Sequence, residues 1–246
     1  IGRGGNIIDL AELLYNSSDV SYLIHQIERN APSCVSVSLP TAKPNKPQNS
    51  FENLQVLSIS HPALIKYLGE RCIDIEIART ICKELHFDTR GKHYFGIGFP
   101  NIAGGYEIRN SFFKGCIAPK DISHFYAEEP KKVCFLFEGF MDFLSFMTLR
   151  RKENDGLKRQ DYLVLNSVSN VHKALESLSH YENVQCFLDN DEAGRNAYKQ
   201  LSEELGSSVL DSSSLYSDFK DLNDYLCVEF KHSGKAENKK IKGIKL

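Results

Sequence analysis

Length, composition and charge set broad limits on this chain. Its 246 residues, 41% of them hydrophobic, suffice for one substantial core or two modest ones. No apolar run of about eighteen residues and no secretory leader is visible, so we expect a cytoplasmic protein with no membrane partner. The net charge of −2, from 30 basic and 32 acidic side chains, does not by itself predict a nucleic-acid partner. Such a partner has to be inferred from local clusters of basic residues.

The first fifty-five residues divide into two predicted parts. Residues 1–30 carry apolar side chains at helical spacing and predict a helical segment. Residues 31–50 are rich in proline and serine and lack aromatic side chains, which is typical of a linker. We therefore expect a linker over residues 31–55.

Residues 56–130 predict a smaller, mixed α+β subdomain. Pro62 marks the start of one short helix. Asp74 is a suitable cap for a second helix that reaches about residue 86, with Leu85 on its apolar face. The glycine-rich residues 93–117 are expected to be extended, with core positions for Phe112 and Phe113, although these rings beside Lys114 are also able to stack on bases. Two turns are predicted there, at Gly104-Gly105 and at Gly115.

Residues 131–230 show a different hydrophobic pattern. Short unbroken apolar runs alternate with amphipathic helical patterns, which indicates an α/β domain with a central parallel sheet flanked by helices. The residues after 230 are basic and are expected to form a disordered tail over 231–246. The three apolar runs are Val133–Phe137, Tyr162–Leu165 and Val184–Leu188.

Acidic residues follow two of these predicted strands. Glu138 comes directly after the first strand, and Asp189 and Asp191 come directly after the third. Because ligand-binding groups gather at the carboxyl ends of parallel strands, these carboxylates are expected to converge. Carboxylates that converge repel one another unless a divalent cation lies between them, which predicts a Mg²⁺ or Mn²⁺ site for phosphoryl transfer. Further acids and neighbouring residues are candidates to support this site: Gly139, Asp142, Gly194, Lys220, Asp221 and Asn223.

A simpler interpretation exists for each residue taken singly. A carboxylate at the start of a helix is favoured by the helix dipole, whether or not it binds a metal. Asp142 is as easily explained by capping or orientation as by chemistry. Gly139 and Gly194 fit tight strand-to-helix turns better than contact with substrate.

Two motifs give this pattern a family resemblance. The segments Glu138–Asp142, EGFMD, and Asp189–Gly194, DNDEAG, resemble the signature of the Toprim domain, which bacterial primases, topoisomerases and some nucleases share. The segment Lys220–Leu226, KDLNDYL, is similar to a stretch of DnaG-type primases but departs from it at Leu222 and Asn223. The amide of Asn223 stands where the family has a carboxylate, and an amide oxygen binds magnesium more weakly.

Upstream segments extend the resemblance. Residues 1–10 and the segment Tyr67–Ile73 are similar to parts of DnaG-type primases, and Tyr94–Cys116 resembles primase-like proteins of bacterial mobile elements. Those primases carry a zinc-binding module, and this sequence has no zinc-ligand cluster. We therefore expect Zn²⁺ only in a module that precedes this chain.

The resemblance implies roles for particular residues. Glu138 would act as general base or metal ligand at a 3′-hydroxyl, while Asp189 and Asp191 would hold the metal, with Asp221 a further ligand. The implied activity is that of a primase, which joins ribonucleoside triphosphates on single-stranded DNA and works with a replicative helicase. The implied contacts to template or nucleotide phosphates are Arg109, Asn110 and Lys114, with Arg90 and Lys92 as weaker candidates.

Two alternatives stay open at this point. The same acids would serve a Toprim nuclease or a topoisomerase-like enzyme, although a topoisomerase needs a tyrosine nucleophile on a further domain. The second alternative is a non-catalytic DNA-binding accessory protein of replication or mobilisation. The amide at Asn223, in place of a carboxylate, supports it.

Overall fold

The computed structural model describes residues 51–151 and 159–233, together with isolated positions between 11 and 29. The predicted linker over residues 31–50 and the tail from residue 234 onward lie outside the described residues, as does most of the predicted segment 1–30. The chain divides into a unit of residues 1–48 and a unit of residues 49–246, and the second carries both sheets. None of the helices within the described ranges combines the length and the apolar character that crossing a membrane requires.

The first sheet is antiparallel and takes its strands in chain order. Two helices connect its first two strands, and each begins at a side-chain cap: His61 accepts a hydrogen bond from the Ala63 amide, and Asp74 accepts from Glu76 and Ile77. The strands are β1 (Glu52–Leu57), β2 (Lys83–Thr89), β3 (Lys92–Pro100), β4 (Tyr106–Arg109) and β5 (Lys114–Ile117), and the helices are α1 (Pro62–Glu70) and α2 (Ile75–Ile81).

Three sequence predictions for this sheet are wrong in detail. The linker was expected to reach residue 55, but β1 begins at Glu52. Its side chains, including Leu54, Val56 and Leu57, are exposed, and pairing with β2 holds the strand. The second helix ends at Ile81 rather than near residue 86, because Leu85 lies in β2 between two partner strands. Gly115 lies within β5 instead of at a turn, since the chain reverses at residues 110–113.

The second sheet is the predicted α/β domain. Its order is β10-β9-β7-β8-β6, parallel except for β6, which runs antiparallel to β8. The three apolar runs form the central strands β7 (Val133–Phe137), β8 (Asp161–Val164) and β9 (Asn183–Phe187), while the short β6 (Ser123–Phe125) and β10 (Val209–Asp211) were not predicted. The helices are α3 (Phe140–Arg150), α4 (Val171–Leu178), α5 (Glu192–Leu205) and α6 (Leu222–Ser233).

Alternating side chains of the central strand fill two different cores. Phe135 and Phe137 pack with α3 and α6, while Cys134 and Leu136 pack with α4 and α5 on the other face. The strand is therefore apolar at every position, as a sheet covered on both faces requires.

The first of these cores also joins the two sheets. The Phe99 ring of β3 stacks on Phe140 of α3, with centroids 5.1 Å apart, and meets Phe143 edge-on. Ile97 and residues of α1 belong to the same cluster. Strands β4 and β5 are thereby held beside the carboxyl ends of β7 and β9.

Candidate active site

A cleft of about 490 Å³ lies where the carboxyl ends of β7 and β9 meet β4 and β5. One wall is mainly acidic and the other mainly basic. Its lining includes many of the predicted site residues and several that the sequence did not single out: Arg71, Glu107, Arg109, Lys114, Gly115, Cys116, Lys120, Glu138, Gly139, Phe140, Met141, Asp142, Asn166, Ser167, Val168, Asp189, Lys220 and Asp221.

Glu138 and Asp189 form the centre of the acidic wall. The Glu138 carboxylate accepts a hydrogen bond from the Asp189 backbone amide at 3.3 Å, which places the two strand ends side by side. Burial is the main reason that the pKa of Glu138 is raised. Burial, followed by the charges of Glu138, Asp221 and Asp191, raises the pKa of Asp189 to about 7. The structure thus brings the predicted site residues Glu138 and Asp189 together.

Asp142 is a buried acid of the cleft. It lies in the first turn of α3, and burial together with Asp221 and Asp189 raises its pKa well above the ordinary range of an aspartate. Its carboxyl accepts a hydrogen bond from the Asn223 backbone amide at 3.3 Å. Asp142 therefore lies beneath Glu138 and Asp189, and its hydrogen bond to the Asn223 backbone links α3 to α6.

The Asn223 side chain serves the core rather than the cleft. The residue is fully buried, and its amide nitrogen donates to the Arg71 carbonyl at 2.9 Å and to Ser145 Oγ at 2.8 Å. It is absent from the cleft lining. Asn223 was expected to be a weakened metal ligand. Instead, both donors of its side-chain amide form hydrogen bonds inside the protein.

Asp191 is the N-cap residue of α5. Its carboxylate caps α5 by accepting from the Gly194 amide at 3.0 Å, and it forms an ion pair with Lys220 at 3.5 Å. The hydrogen bond from Gly194 is the main reason that the pKa of Asp191 is lowered. Asp191 lies beside the acidic wall, and its charge acts on Glu138 and Asp189, but it does not line the cleft.

Asn190 fixes the segment that carries Lys220 and Asp221. Its side-chain amide donates to the carbonyls of Tyr216 and Phe219, and its backbone amide donates to the Lys220 carbonyl at 2.7 Å. Asn190 was not among the predicted site residues, although it lies between Asp189 and Asp191 in the motif. Through these bonds the segment that carries Lys220 and Asp221 reaches the same edge of the sheet as the strand ends.

The basic wall contains part of the predicted phosphate-binding set. Arg109 and Lys114 are paired across β4 and β5 and both line the cleft. Asn110 instead shapes the turn between these strands. Arg90 and Lys92 lie at the β2–β3 turn and do not line the cleft. Arg71 and Lys120 were missed because only tertiary packing brings them to the site.

The chemistry of the acidic wall fits a divalent cation. Within residues 51–151 and 159–233, no set of three or more carboxylate, histidine or cysteine groups is already arranged to hold a metal ion. The charges of Glu138, Asp221 and Asp191 nevertheless raise the pKa of Asp189, and a divalent cation between these carboxylates would relieve that repulsion. Glu138, Asp189 and Asp221 line the cleft together and are the side chains that would hold Mg²⁺ or Mn²⁺.

Gly194 leaves no room for a side chain. A methyl group there would lie 2.1 Å from the Asp189 carbonyl oxygen, so the backbone that carries Asp189 would have to move. We expect Gly194→Ala to lower the free energy of unfolding by about 2–4 kcal/mol, measured by urea denaturation. Gly69→Ala, where nothing lies within 4 Å in a helix, is the matched control and is expected to stabilise by about 0.5–1 kcal/mol. Equal effects of the two substitutions would contradict the close approach at Gly194.

Comparison with known families identifies the class of the second sheet domain. Residues 135–226 match the family model described as Toprim-like, and residues 53–118 match a domain of unknown function, DUF8464. The part of the chain that carries the acidic wall is therefore a Toprim-like domain, and the predicted α/β fold with a parallel sheet is confirmed. A search of curated proteins finds no match.

The chain is also similar, at low sequence identity, to three solved structures. The primase fragment of the bacteriophage T7 primase-helicase protein is 17% identical, with a TM-score of 0.48 over 75% of this chain and 74% of that one. A chain from bacteriophage T7 lagging-strand DNA polymerase in complex with primase domains, an RNA/DNA hybrid and dTTP is 16% identical, with a TM-score of 0.48 over 74% and 89%. The Aquifex aeolicus primase, comprising its zinc-binding and RNA polymerase domains, is 14% identical, with a TM-score of 0.46 over 94% and 70%.

Proposed function

We propose that this chain is the RNA-polymerase core of a primase, which joins ribonucleotides on single-stranded DNA with a divalent cation. The observation that carries the proposal is the cleft itself, in which Glu138, Asp189 and Asp221 face Arg109 and Lys114. Carboxylates that hold a cation opposite side chains that hold phosphates are what phosphoryl transfer requires. The Toprim-like match and the primase-like segment Lys220–Leu226 support the choice of primer synthesis.

Each wall has a part in the proposed reaction. Glu138, whose pKa is raised mainly by burial, is suited to take the proton from an attacking 3′-hydroxyl. Arg109 and Lys114 bind and orient the phosphates of the nucleotide or template. Glu138, Asp189 and Asp221 would hold the cation, which would supply charge stabilisation for the transferred phosphoryl group. Template DNA, ribonucleoside triphosphates and a replicative helicase are the proposed partners.

A primer-synthesis assay tests this proposal. Purified protein is incubated with single-stranded DNA, Mg²⁺ and labelled ribonucleoside triphosphates, with and without an added zinc-binding module from a DnaG-type primase. Short RNA products that require both template and Mg²⁺ are expected. Cleavage of the template in place of synthesis would favour the Toprim nuclease, and DNA binding with neither reaction would favour the accessory protein.

The raised pKa of Asp189 predicts a pH-dependent stability difference. An aspartate whose folded-state pKa is about 7 holds its proton more tightly when folded than when unfolded, where the pKa is about 3.9. Its contribution to stability is therefore present below about pH 4 and is lost as the pH rises to 7. In chelator, Asp189→Asn is expected to gain stability over the wild type across this range, by on the order of 1 kcal/mol after solvent screening.

Thermal denaturation from pH 4 to pH 8.5 measures this difference. The gain should grow up to about pH 7 and then remain level. A gain that does not change with pH would show that the Asp189 carboxylate is not destabilised by its neighbours.

A further inference from the structure

The turn between β4 and β5 exposes an aromatic ring completely. The Phe112 side chain is 99% exposed, so the expectation that it occupies a core position is wrong. A single exposed apolar side chain is common on protein surfaces and needs no explanation by itself. The construction and location of this turn are what distinguish Phe112.

Hydrogen bonds hold the turn in one shape. Asn110 donates from its backbone amide to the Phe113 carbonyl at 3.0 Å, and its side-chain oxygen accepts from the Phe112 amide at 2.8 Å. Its side-chain nitrogen donates to the Phe95 carbonyl of β3 at 2.7 Å. The predicted site residue Asn110 is therefore the residue that fixes the turn.

Phe112 and Phe113 differ in how much of each ring reaches solvent. The Phe113 ring lies over Gly115, where an added methyl group would come within 2.3 Å of a ring carbon, but the side chain is still 39% exposed, so the core position expected for it is also wrong. Phe112 has no such contact, although burial of its ring would contribute about 1.5–3 kcal/mol. The fixed turn thus presents the whole Phe112 ring to solvent beside a partly covered Phe113.

The turn is continuous with the basic wall of the cleft. Arg109 and Lys114, the last residue of β4 and the first of β5, flank the turn and line the cleft. The charge of Lys114 acts on Glu138, so this end of the hairpin is near the acidic centre. Phe112 is two residues from Lys114, and two residues of chain span at most about 7 Å. The exposed ring therefore lies within about 7 Å of chain from the basic wall of the cleft.

We propose that Phe112 stacks on a base of the single-stranded DNA template as it enters or leaves the cleft. The proposal rests on the proposed function for the identity of the strand. Proteins that hold single-stranded nucleic acid combine a basic groove, which follows the phosphates, with exposed aromatic rings that stack on bases. Arg109 and Lys114 provide the charge, and Phe112 provides the ring. Stacking also tolerates any base, since every base offers a flat face.

Two oligonucleotides that differ only in their bases test the stacking. Binding of labelled oligo-dT and of an abasic oligonucleotide of equal length is measured by fluorescence anisotropy. Phe112→Ala is expected to weaken binding of oligo-dT by about tenfold or more and to leave the abasic binding unchanged. Phe112→Tyr should retain the wild-type affinity, and Ile102→Ala, which removes another exposed apolar side chain, should alter neither. Equal losses for both oligonucleotides, or no loss, would overturn the proposal.

A fluorescent variant gives an independent readout. The chain contains no tryptophan, so Phe112→Trp introduces a single indole at the tip of the turn. Its emission should be quenched by oligo-dT and not by the abasic oligonucleotide, whereas unchanged emission at saturating oligo-dT would overturn the stacking. Base-dependent binding in a protein that makes no RNA would leave the stacking intact and refute primer synthesis. A wild-type protein that binds neither oligonucleotide would refute both.

Discussion

Asp189→Asn is expected to abolish template-directed RNA synthesis, with a loss of at least about a thousandfold. Asp189 is the most central acid of the cleft, because Glu138, Asp221 and Asp191 all act on it. A metal ion contributes several kcal/mol to the stabilisation of transferred phosphoryl groups, and each 1.4 kcal/mol is about tenfold in rate. An amide of the same shape keeps the packing but removes the charge that holds the cation.

The measurement is primer synthesis at saturating Mg²⁺, followed by titration with Mn²⁺ by calorimetry. Asp218→Asn is the matched control, because Asp218 is exposed and does not line the cleft. This control should retain both synthesis and cation binding. If Asp189→Asn kept its activity while it gained stability in chelator, the acidic residues would repel one another as described, but Asp189 would have no part in RNA synthesis.

Asn223→Asp is expected to destabilise the protein by about 3 kcal/mol or more, instead of restoring a metal ligand. The substitution removes the donors that satisfy the Arg71 carbonyl and Ser145 Oγ. It also places a second carboxyl next to Asp142, which is already buried. For a domain of this size, the midpoint of thermal unfolding should fall by roughly 6–12 °C.

Circular dichroism in chelator measures this change. Asn196→Asp makes the same chemical change at an exposed position of α5 and should shift the stability by no more than about 0.5 kcal/mol. A stable Asn223→Asp protein with tighter cation binding would show that this side chain turns towards the cleft, contrary to the hydrogen bonds described above.

The fold was predictable where burial leaves a plain pattern. The unbroken run Val133–Phe137 forms β7 with the predicted bounds, because both faces of that strand are covered. The exposed β1 and the three-residue β10 leave no such pattern, so they were not predicted. Leu85 continued a helical spacing, but strand pairing decided its conformation. Local patterns therefore identified the central strands and failed at the edges.

Part of the candidate site could be predicted from the sequence, and part could not. The acidic wall could be predicted because Glu138 and Asp189 follow strands, and the carboxyl ends of parallel strands meet. Arg71 and Lys120 come from other elements, and nothing in their local sequence marks them. Asn223 shows a further limit: its place in a motif suggested a ligand, while its surroundings make it a hydrogen-bond donor within the core.

The stacked rings of Phe99 and Phe140 have a consequence for how a substrate enters. These rings join β3 to the helix that follows Glu138, and closely packed aromatic cores do not deform continuously. Under the proposed function, adjustment to different nucleotides or metals would therefore fall to rotation of the charged side chains that line the cleft, such as Lys114 and Asp221, instead of to movement between the two sheets.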